Sequence, residues 1–263
     1  MADLARWTAH SAMSDPAEYA EALARLPGGV DAMSRIVQGV LVHSDWLPAY
    51  GLDEGGKVIS RRTLPVVERL RDIFERDSRP LDARRPPERR SSATCRDFAL
   101  MLCSLLRTGN AAARLRCGFA AYLGGAWEDH WVCEYRAVAA QDWRLADPQI
   151  DDVLKTLLRV PFAPPHVPRG LFLTAGEAWL GCRAGKLDPA RFGHGATKGL
   201  RFMQVNVVRD HYALNNRETS PWDDWRAAAG QRLAPGEAES LRLDAIAAAP
   251  EQPIVEMAPY WLA

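Results

Sequence analysis

The sequence has little of what identifies several common classes of protein. Its 33 Lys and Arg residues balance 33 Asp and Glu residues, so the formal net charge is zero. A nucleic-acid-binding protein usually carries a basic excess. No apolar run is long enough for a transmembrane helix, and the first residues lack the apolar segment of a signal peptide. We therefore predict no nucleic-acid partner, no membrane partner and a cytoplasmic location.

Cysteine is also scarce and irregularly spaced. The chain has five cysteines, an odd number, and no two of them form a Cys-x-x-Cys pair. This spacing is not that of a disulfide framework and favours reduced thiols. No phosphate-binding glycine loop and no cluster of metal ligands occurs, so we predict neither a cofactor nor a metal.

The most informative segment that is present is Thr94-Cys95-Arg96-Asp97, which is followed by an apolar run. A Thr with an acidic residue three positions later is the pattern of a helix N-terminus. It predicts a helix from residue 95 to about residue 107. Cys95 would then be the first helical residue, where unpaired backbone N–H groups and the helix dipole favour a thiolate over a thiol. The segment therefore predicts a nucleophile.

After this helix the apolar pattern changes to strict alternation. Strands are predicted over residues 113–122, 127–136 and 142–147, and further helices over residues 65–76, 175–183, 222–229 and 237–248. A helix followed by consecutive strands predicts an α+β domain with a largely antiparallel sheet.

Two residues of the predicted strands have the chemistry that a cysteine nucleophile needs. His130 lies in the second strand and Asp147 at the end of the third, and a suitable register would place both on the helix side of the sheet. His130 would hold the thiolate as an ion pair and protonate the leaving group, while Asp147 would orient the imidazole. The backbone N–H of Cys95 is a natural donor to an oxyanion.

At these residues the sequence resembles the transglutaminase-like superfamily. The resemblance covers about residues 90–152 and lies in residues 94–99, 129–134 and 143–147. It implies a papain-like core, a thioacyl-enzyme, and a catalytic triad of Cys95, His130 and Asp147. One departure is Ala93, where relatives often carry glycine. The flanking segments are similar to those of bacterial transglutaminase-like proteins.

The resemblance and the residue patterns together predict an α+β fold with a papain-like transglutaminase core. Residues 1–90 would form a helical N-terminal elaboration packed on the core, residues 91–152 the catalytic core, and residues 153–263 a C-terminal extension of the same globular unit. The expected activity is cysteine-dependent acyl transfer on a peptide, amide or small acyl substrate. Hydrolysis and transfer to an amine would use the same triad, and both stay open, as does the oligomeric state.

Four further residues are candidates for substrate contact. Trp127, Glu128 and Asp129 precede His130 at the expected mouth of the cleft, and Trp46 belongs to a polar and aromatic segment that also contains His43. Each could equally be structural, since loop tryptophans often anchor packing. The rival function is a catalytically inactive binding module that holds a peptide or protein partner in the cleft. A thiol and histidine metal site is disfavoured by the cysteine spacing.

Overall fold

The computed structural model describes residues 4–53, 65–136, 142–218 and 233–255. It has the predicted α+β class. The chain divides into two compact units. The first comprises the described residues up to Leu115 together with Val132–Val167, and the second comprises Arg116–Trp131 together with the described residues from Pro168 onward. The three-part division at residues 90 and 152 stays a prediction. None of the described helices combines the length and the apolar character needed to cross a membrane.

The described part of the first unit contains six α-helices. Its α-helices are α1 (Ala5–Thr8), α2 (Ala20–Ala24), α3 (Val30–Val40), α4 (Val66–Arg76), α5 (Cys95–Thr108) and α6 (Asp152–Leu157). The helices α1 to α4 all contact α5, which is buried from Cys95 to Arg107. The predictions of a helix over residues 65–76 and of one starting at residue 95 are both confirmed.

A short pair of parallel strands leads into α5. Strand β1 (Leu41–His43) pairs with β2 (Ser91–Ala93), and His43 lies opposite Ala93. A 3-10 helix, Ser44–Tyr50, follows β1 directly. The pair was not predicted from the sequence because three residues are too few to show an alternating pattern. Its effect is to place the segment after β1 beside the start of α5.

The first unit also contains part of a larger sheet. The strands are β3 (Ala112–Ala120), β4 (Trp127–Arg136) and β5 (Arg144–Ala146). They confirm the three strands predicted there, although β5 is shorter than predicted. Strand β5 runs antiparallel to β4, with Cys133 opposite Ala146. Burial and a hydrogen bond with the Cys103 thiol of α5 raise the pKa of Cys133, so this face of β4 packs on α5.

Strands β3 and β4 continue into the second unit. The order of strands there is β6-β3-β4-β7-β8, with β6 (Phe172–Thr174), β7 (Phe192–His194) and β8 (Thr197–Lys198). Strand β6 is antiparallel to β3, and β8 is antiparallel to β7. Strand β7, however, is parallel to β4. The described pairings of this sheet are thus mostly antiparallel, as predicted, and the pairing of β4 with β7 is a parallel one that the sequence did not predict.

Three helices pack on one another in the second unit, namely α7 (Ala175–Arg183), α8 (Leu200–Leu214) and α9 (Glu237–Ala248). They enclose an aromatic core that includes Phe119, Trp179 and Phe202. A Cβ on Gly176 would lie 2.8 Å from the carbonyl oxygen of Ala247, so glycine is what allows α7 and α9 to approach this closely. The predictions of α7 and α9 are confirmed.

Helix α8 was not predicted. Every residue from Phe202 to Leu214 is buried, and a helix that is buried on all sides has no apolar stripe of helical period. Its charged residues find partners inside the unit, as Asp210 does with Arg116 at 2.8 Å. The helix predicted over residues 222–229 lies outside the described residues.

Candidate active site

Cys95 is the first residue of α5, as the sequence predicted. The Asp97 carboxylate accepts hydrogen bonds from the backbone N–H of Thr94 at 2.9 Å and from the Thr94 hydroxyl at 3.1 Å. This arrangement begins the helix at Cys95 and leaves its first N–H groups directed out of the helix end. The thiol is largely buried, at 7% exposed. Its position combines the positive end of the helix dipole with restricted access of water.

The carboxylate of Asp97 is neutralised by two buried guanidinium groups. One oxygen lies 3.2 Å from Arg69 of α4, and the other lies 3.3 Å from Arg96. Arg69 also donates to the Ser91 hydroxyl at 3.0 Å and to the carbonyl of Ser92 at 2.6 Å. Asp97 therefore has two guanidinium partners at the start of α5.

Residues 43–50, from the end of β1 through the 3-10 helix, contact both the start of α5 and the loop after Asp147. At one end, the His43 ring stacks on the Phe98 ring of α5, with 6.4 Å between the ring centroids. At the other end, the Tyr50 hydroxyl donates to the carboxylate of Asp151 at 3.0 Å. Trp46 lies between these two anchors and is half-buried. In the first unit this segment therefore spans from the turn that carries Cys95 to the loop that begins at Asp147.

Asp147 is fully buried and lies in a loop. The sequence predicted Asp147 as the last residue of the third strand, with its side chain on the helix side of the sheet. Strand β5 ends at Ala146, so the alternation of strand residues does not set the direction of the Asp147 side chain. The Asp147 N–H donates to the carbonyl of Pro164 at 2.9 Å, and its side chain accepts from the N–H of Gln149 at 3.0 Å. The loop is therefore held at both the backbone and the carboxylate.

His130 belongs to the second unit, in β4. It is 1% exposed, and its ring meets Tyr122 edge to face with 6.0 Å between the centroids. Tyr122 follows the end of β3 closely, so the aromatic contact fixes one side of the imidazole within that unit.

The three candidates before His130 all make internal contacts in the second unit. Trp127 stacks on Phe192 with 5.5 Å between the ring centroids, and Glu128 forms a hydrogen bond with His194. Asp129 is buried and accepts a hydrogen bond from Asn206 of α8 at 2.8 Å. These contacts give each side chain a structural role, and substrate contact stays a prediction for all three.

The site residues thus divide between the two units. Cys95, Asp147 and Trp46 belong to the first unit, and His130 belongs to the second with Trp127, Glu128 and Asp129. Sequence reasoning missed Arg69, because an arginine in an amphipathic helix normally indicates an exposed face. It also noted His43 only as a member of a loop, whereas the structure buries this residue against α5.

All five cysteines lie in the described residues, and none of them forms a disulfide. Within those residues, no group of three or more His, Cys, Asp or Glu side chains is arranged to hold a metal ion. The absence of a cofactor stays a prediction.

Comparison with known proteins gives one structural similarity. No protein-family model and no curated protein matches the chain. Among solved structures, the chain is similar to one described as a putative cysteine protease from Cytophaga hutchinsonii, with 16% sequence identity and a TM-score of 0.37. The match covers 57% of this chain and 43% of the other. A TM-score this low carries no argument about the function of this chain.

Proposed function

We propose that this protein is a cysteine-dependent acyl-transfer enzyme with a papain-like, transglutaminase-like core. Cys95 is the nucleophile, His130 the imidazole that pairs with the thiolate and protonates the leaving group, and Asp147 the acid that orients the imidazole. The substrate is a peptide, an amide or a small acyl compound. The observation that carries the proposal is the position of Cys95 as the first residue of a capped, buried helix.

The surroundings of Cys95 support a nucleophilic role. Cys95 begins the helix, so backbone N–H groups without a partner in the helix lie beside its side chain. Cys95 is also mostly shielded from water, at 7% exposed. The other four cysteines do not begin a helix, and the thiols of Cys103, Cys117 and Cys133 are fully buried.

The chemistry runs in two steps. The Cys95 thiolate attacks the carbonyl carbon of the substrate, and the resulting tetrahedral oxyanion collapses as the carbon–nitrogen bond breaks. The amine leaves with a proton from the His130 imidazolium, and a thioester remains on Cys95. Water or a second amine then attacks the thioester, with His130 taking a proton from it. Water gives hydrolysis, and an amine gives a new amide bond.

Alkylation provides the first test. Iodoacetamide at pH 7 should modify Cys95 selectively, as read by peptide mapping, and Cys95→Ala should remove this label. The matched control is Cys182, which is partly exposed, because burial and the charge of Asp188 raise its pKa to about 11. A Cys182→Ala variant should therefore label like the wild type. Equal labelling of wild type and Cys95→Ala would contradict the proposal.

A second experiment identifies the acyl group. Intact-mass spectrometry of the protein, incubated in an extract of its native host, should detect a mass added at Cys95 and absent from Cys95→Ala. His130→Ala should lower the rate at which the adduct turns over, since water or amine would lose its base. A reactive Cys95 with no adduct and no turnover would favour the rival function, a binding module that has kept the fold.

A further inference from the structure

A single side chain of α4 holds the chain on both sides of Cys95. Before Cys95, the Arg69 guanidinium donates to the Ser91 hydroxyl at 3.0 Å and to the Ser92 carbonyl at 2.6 Å. After Cys95, the same guanidinium lies 3.2 Å from the carboxylate of Asp97. Arg69 therefore joins β2 to the first turn of α5, and Cys95 lies between the two points that it holds.

The carboxylate of Asp97 extends this hold to the residue directly before Cys95. The oxygen that faces Arg69 is Oδ2, and this atom also accepts the backbone N–H of Thr94 at 2.9 Å and the Thr94 hydroxyl at 3.1 Å. These contacts set the residue at which the helix begins, and with it the direction of the first backbone N–H groups. The position of Cys95 in the turn thus depends on a carboxylate that Arg69 holds.

The shape of the guanidinium suits this role. One terminal nitrogen of Arg69 donates to Ser91 and Ser92, and the other faces Asp97. Because the group is planar and rigid, the spacing of its nitrogens fixes the distance between the strand and the helix turn. The Arg69 side chain is 5% exposed and the Asp97 side chain 7% exposed, so water does little to replace either partner.

We propose that Arg69 is a positioning residue of the acyl-transfer reaction, which holds the Cys95 sulfur and the Cys95 backbone N–H in the arrangement that attack on a carbonyl requires. This inference rests on the proposed function. As the sulfur–carbon bond forms, an electron pair of the carbonyl moves onto oxygen, so the sulfur and an N–H donor must be in place together. The carbonyl then reforms as the leaving group departs with its bonding electron pair. A misplacement of about 1 Å at such a centre can slow the reaction on the order of 10²-fold.

Two probes that share Cys95 but differ in mechanism test this role. p-Nitrophenyl acetate acylates the sulfur through a tetrahedral oxyanion, and p-nitrophenolate leaves without needing a proton. Iodoacetamide alkylates the same sulfur by displacement of iodide and forms no charge on a carbonyl oxygen. A displaced turn should slow the first reaction more than the second, whereas a less reactive sulfur slows both. Each rate is taken after subtraction of the rate of Cys95→Ala.

Two variants of Arg69 and one control separate position from stability. Arg69→Met should slow acylation on the order of 10²-fold and leave the alkylation rate near that of the wild type. Arg69→Lys keeps a positive charge beside Asp97 but lacks the planar fork, so it should also slow acylation, by a smaller factor. It is the second variant, should the methionine fail to fold.

The matched control is Leu70→Ala on the same helix. Leu70 is fully buried, so its truncation destabilises the protein, but its side chain has no part in the hydrogen bonds of the turn. This variant should change neither rate. All rates are measured at a temperature at which circular dichroism shows each variant to be folded.

Four outcomes would overturn the inference. Unchanged acylation in both Arg69 variants would show that the guanidinium does not position Cys95. Equal slowing of acylation and alkylation would show an effect on the sulfur itself, and the same selective loss in Leu70→Ala would show an effect of stability alone. If neither probe modifies Cys95 in the wild type, the proposed function fails, and the role of Arg69 fails with it. A wild type that reacts with both probes, beside Arg69 variants that react alike, rejects this inference alone.

Discussion

Replacing Arg69 with methionine should lower the free energy of unfolding by about 3–5 kcal/mol, because it removes one partner of a buried ion pair. The Arg69 side chain is 5% exposed and the Asp97 side chain is 7% exposed. Methionine keeps most of the apolar stem, so the change isolates the guanidinium. It would leave the Ser92 carbonyl without its 2.6 Å donor and Asp97 with one fewer positive neighbour.

Arg71 provides a control on the same helix. It pairs with Glu18 at 3.2 Å, the same distance as in the Arg69 pair, but its side chain is 51% exposed. Exposed pairs at this distance contribute little because water and salt screen them. Arg71→Met should therefore leave stability unchanged, whereas Arg69→Met removes a buried ion pair and the hydrogen bonds to Ser91 and Ser92.

The measurement is urea-induced unfolding at pH 7, followed by circular dichroism and by tryptophan fluorescence. Two probes are needed since a chain with two units need not unfold in one transition. A double variant, Arg69→Met with Asp97→Asn, should be less destabilised than the sum of the single changes, because the buried charge is then removed with its partner. Equal effects of Arg69→Met and Arg71→Met would refute the reasoning, as would strict additivity in the double variant.

Three further predictions concern other parts of the structure. Gly176→Ala should destabilise the protein by about 1–3 kcal/mol, because its Cβ would press on the backbone of Ala247. Gly181→Ala on the same helix is the control, since its Cβ would meet only the side chain of Leu187. Thermal unfolding compares the two variants, and an equal loss of stability in both would contradict the close approach of α7 and α9. Burial and the charge of Arg107 lower the pKa of His10. The unfolded chain therefore binds a proton at His10 more readily than the folded chain, so the free energy of unfolding should fall as the pH drops through about 6.5. His10→Gln should reduce that fall. A variant whose stability depends on pH as the wild type's does would contradict the prediction. Raising the pH from 7 towards the pKa of Cys182, about 11, should make that thiol reactive with iodoacetamide, and rapid labelling already at pH 7 would oppose the assignment.

Local patterns were enough to predict the elements that carry the candidate site. Thr94 and Asp97 predict the start of α5, and the alternation from residue 127 predicts β4. Both patterns lie within a few consecutive residues, because helix capping and strand alternation depend on residues that are close in the chain. The class of the fold follows from the order of these elements.

Contacts between distant segments were beyond such patterns. The pairing of β1 with β2, the parallel partner of β4 and the buried helix α8 all depend on tertiary packing that no short window records. Asp147 shows the limit most clearly: the sequence pattern extended the third strand to this residue, but the strand ends at Ala146. Its backbone N–H instead bonds to the Pro164 carbonyl, and its carboxylate accepts from the N–H of Gln149.

The parallel pairing of β1 with β2 has a consequence for the order of folding. Thr94 and Asp97 are three residues apart, so the start of α5 can form from local contacts. His43 and Ala93 are 50 residues apart, and pairing them requires closure of a long loop, which is slow. The start of α5, which carries Cys95, should therefore form before β1 pairs with β2. During that interval the first turn of α5 lacks its packing against β1, so Cys95 is more open to solvent than in the folded chain, where it is 7% exposed.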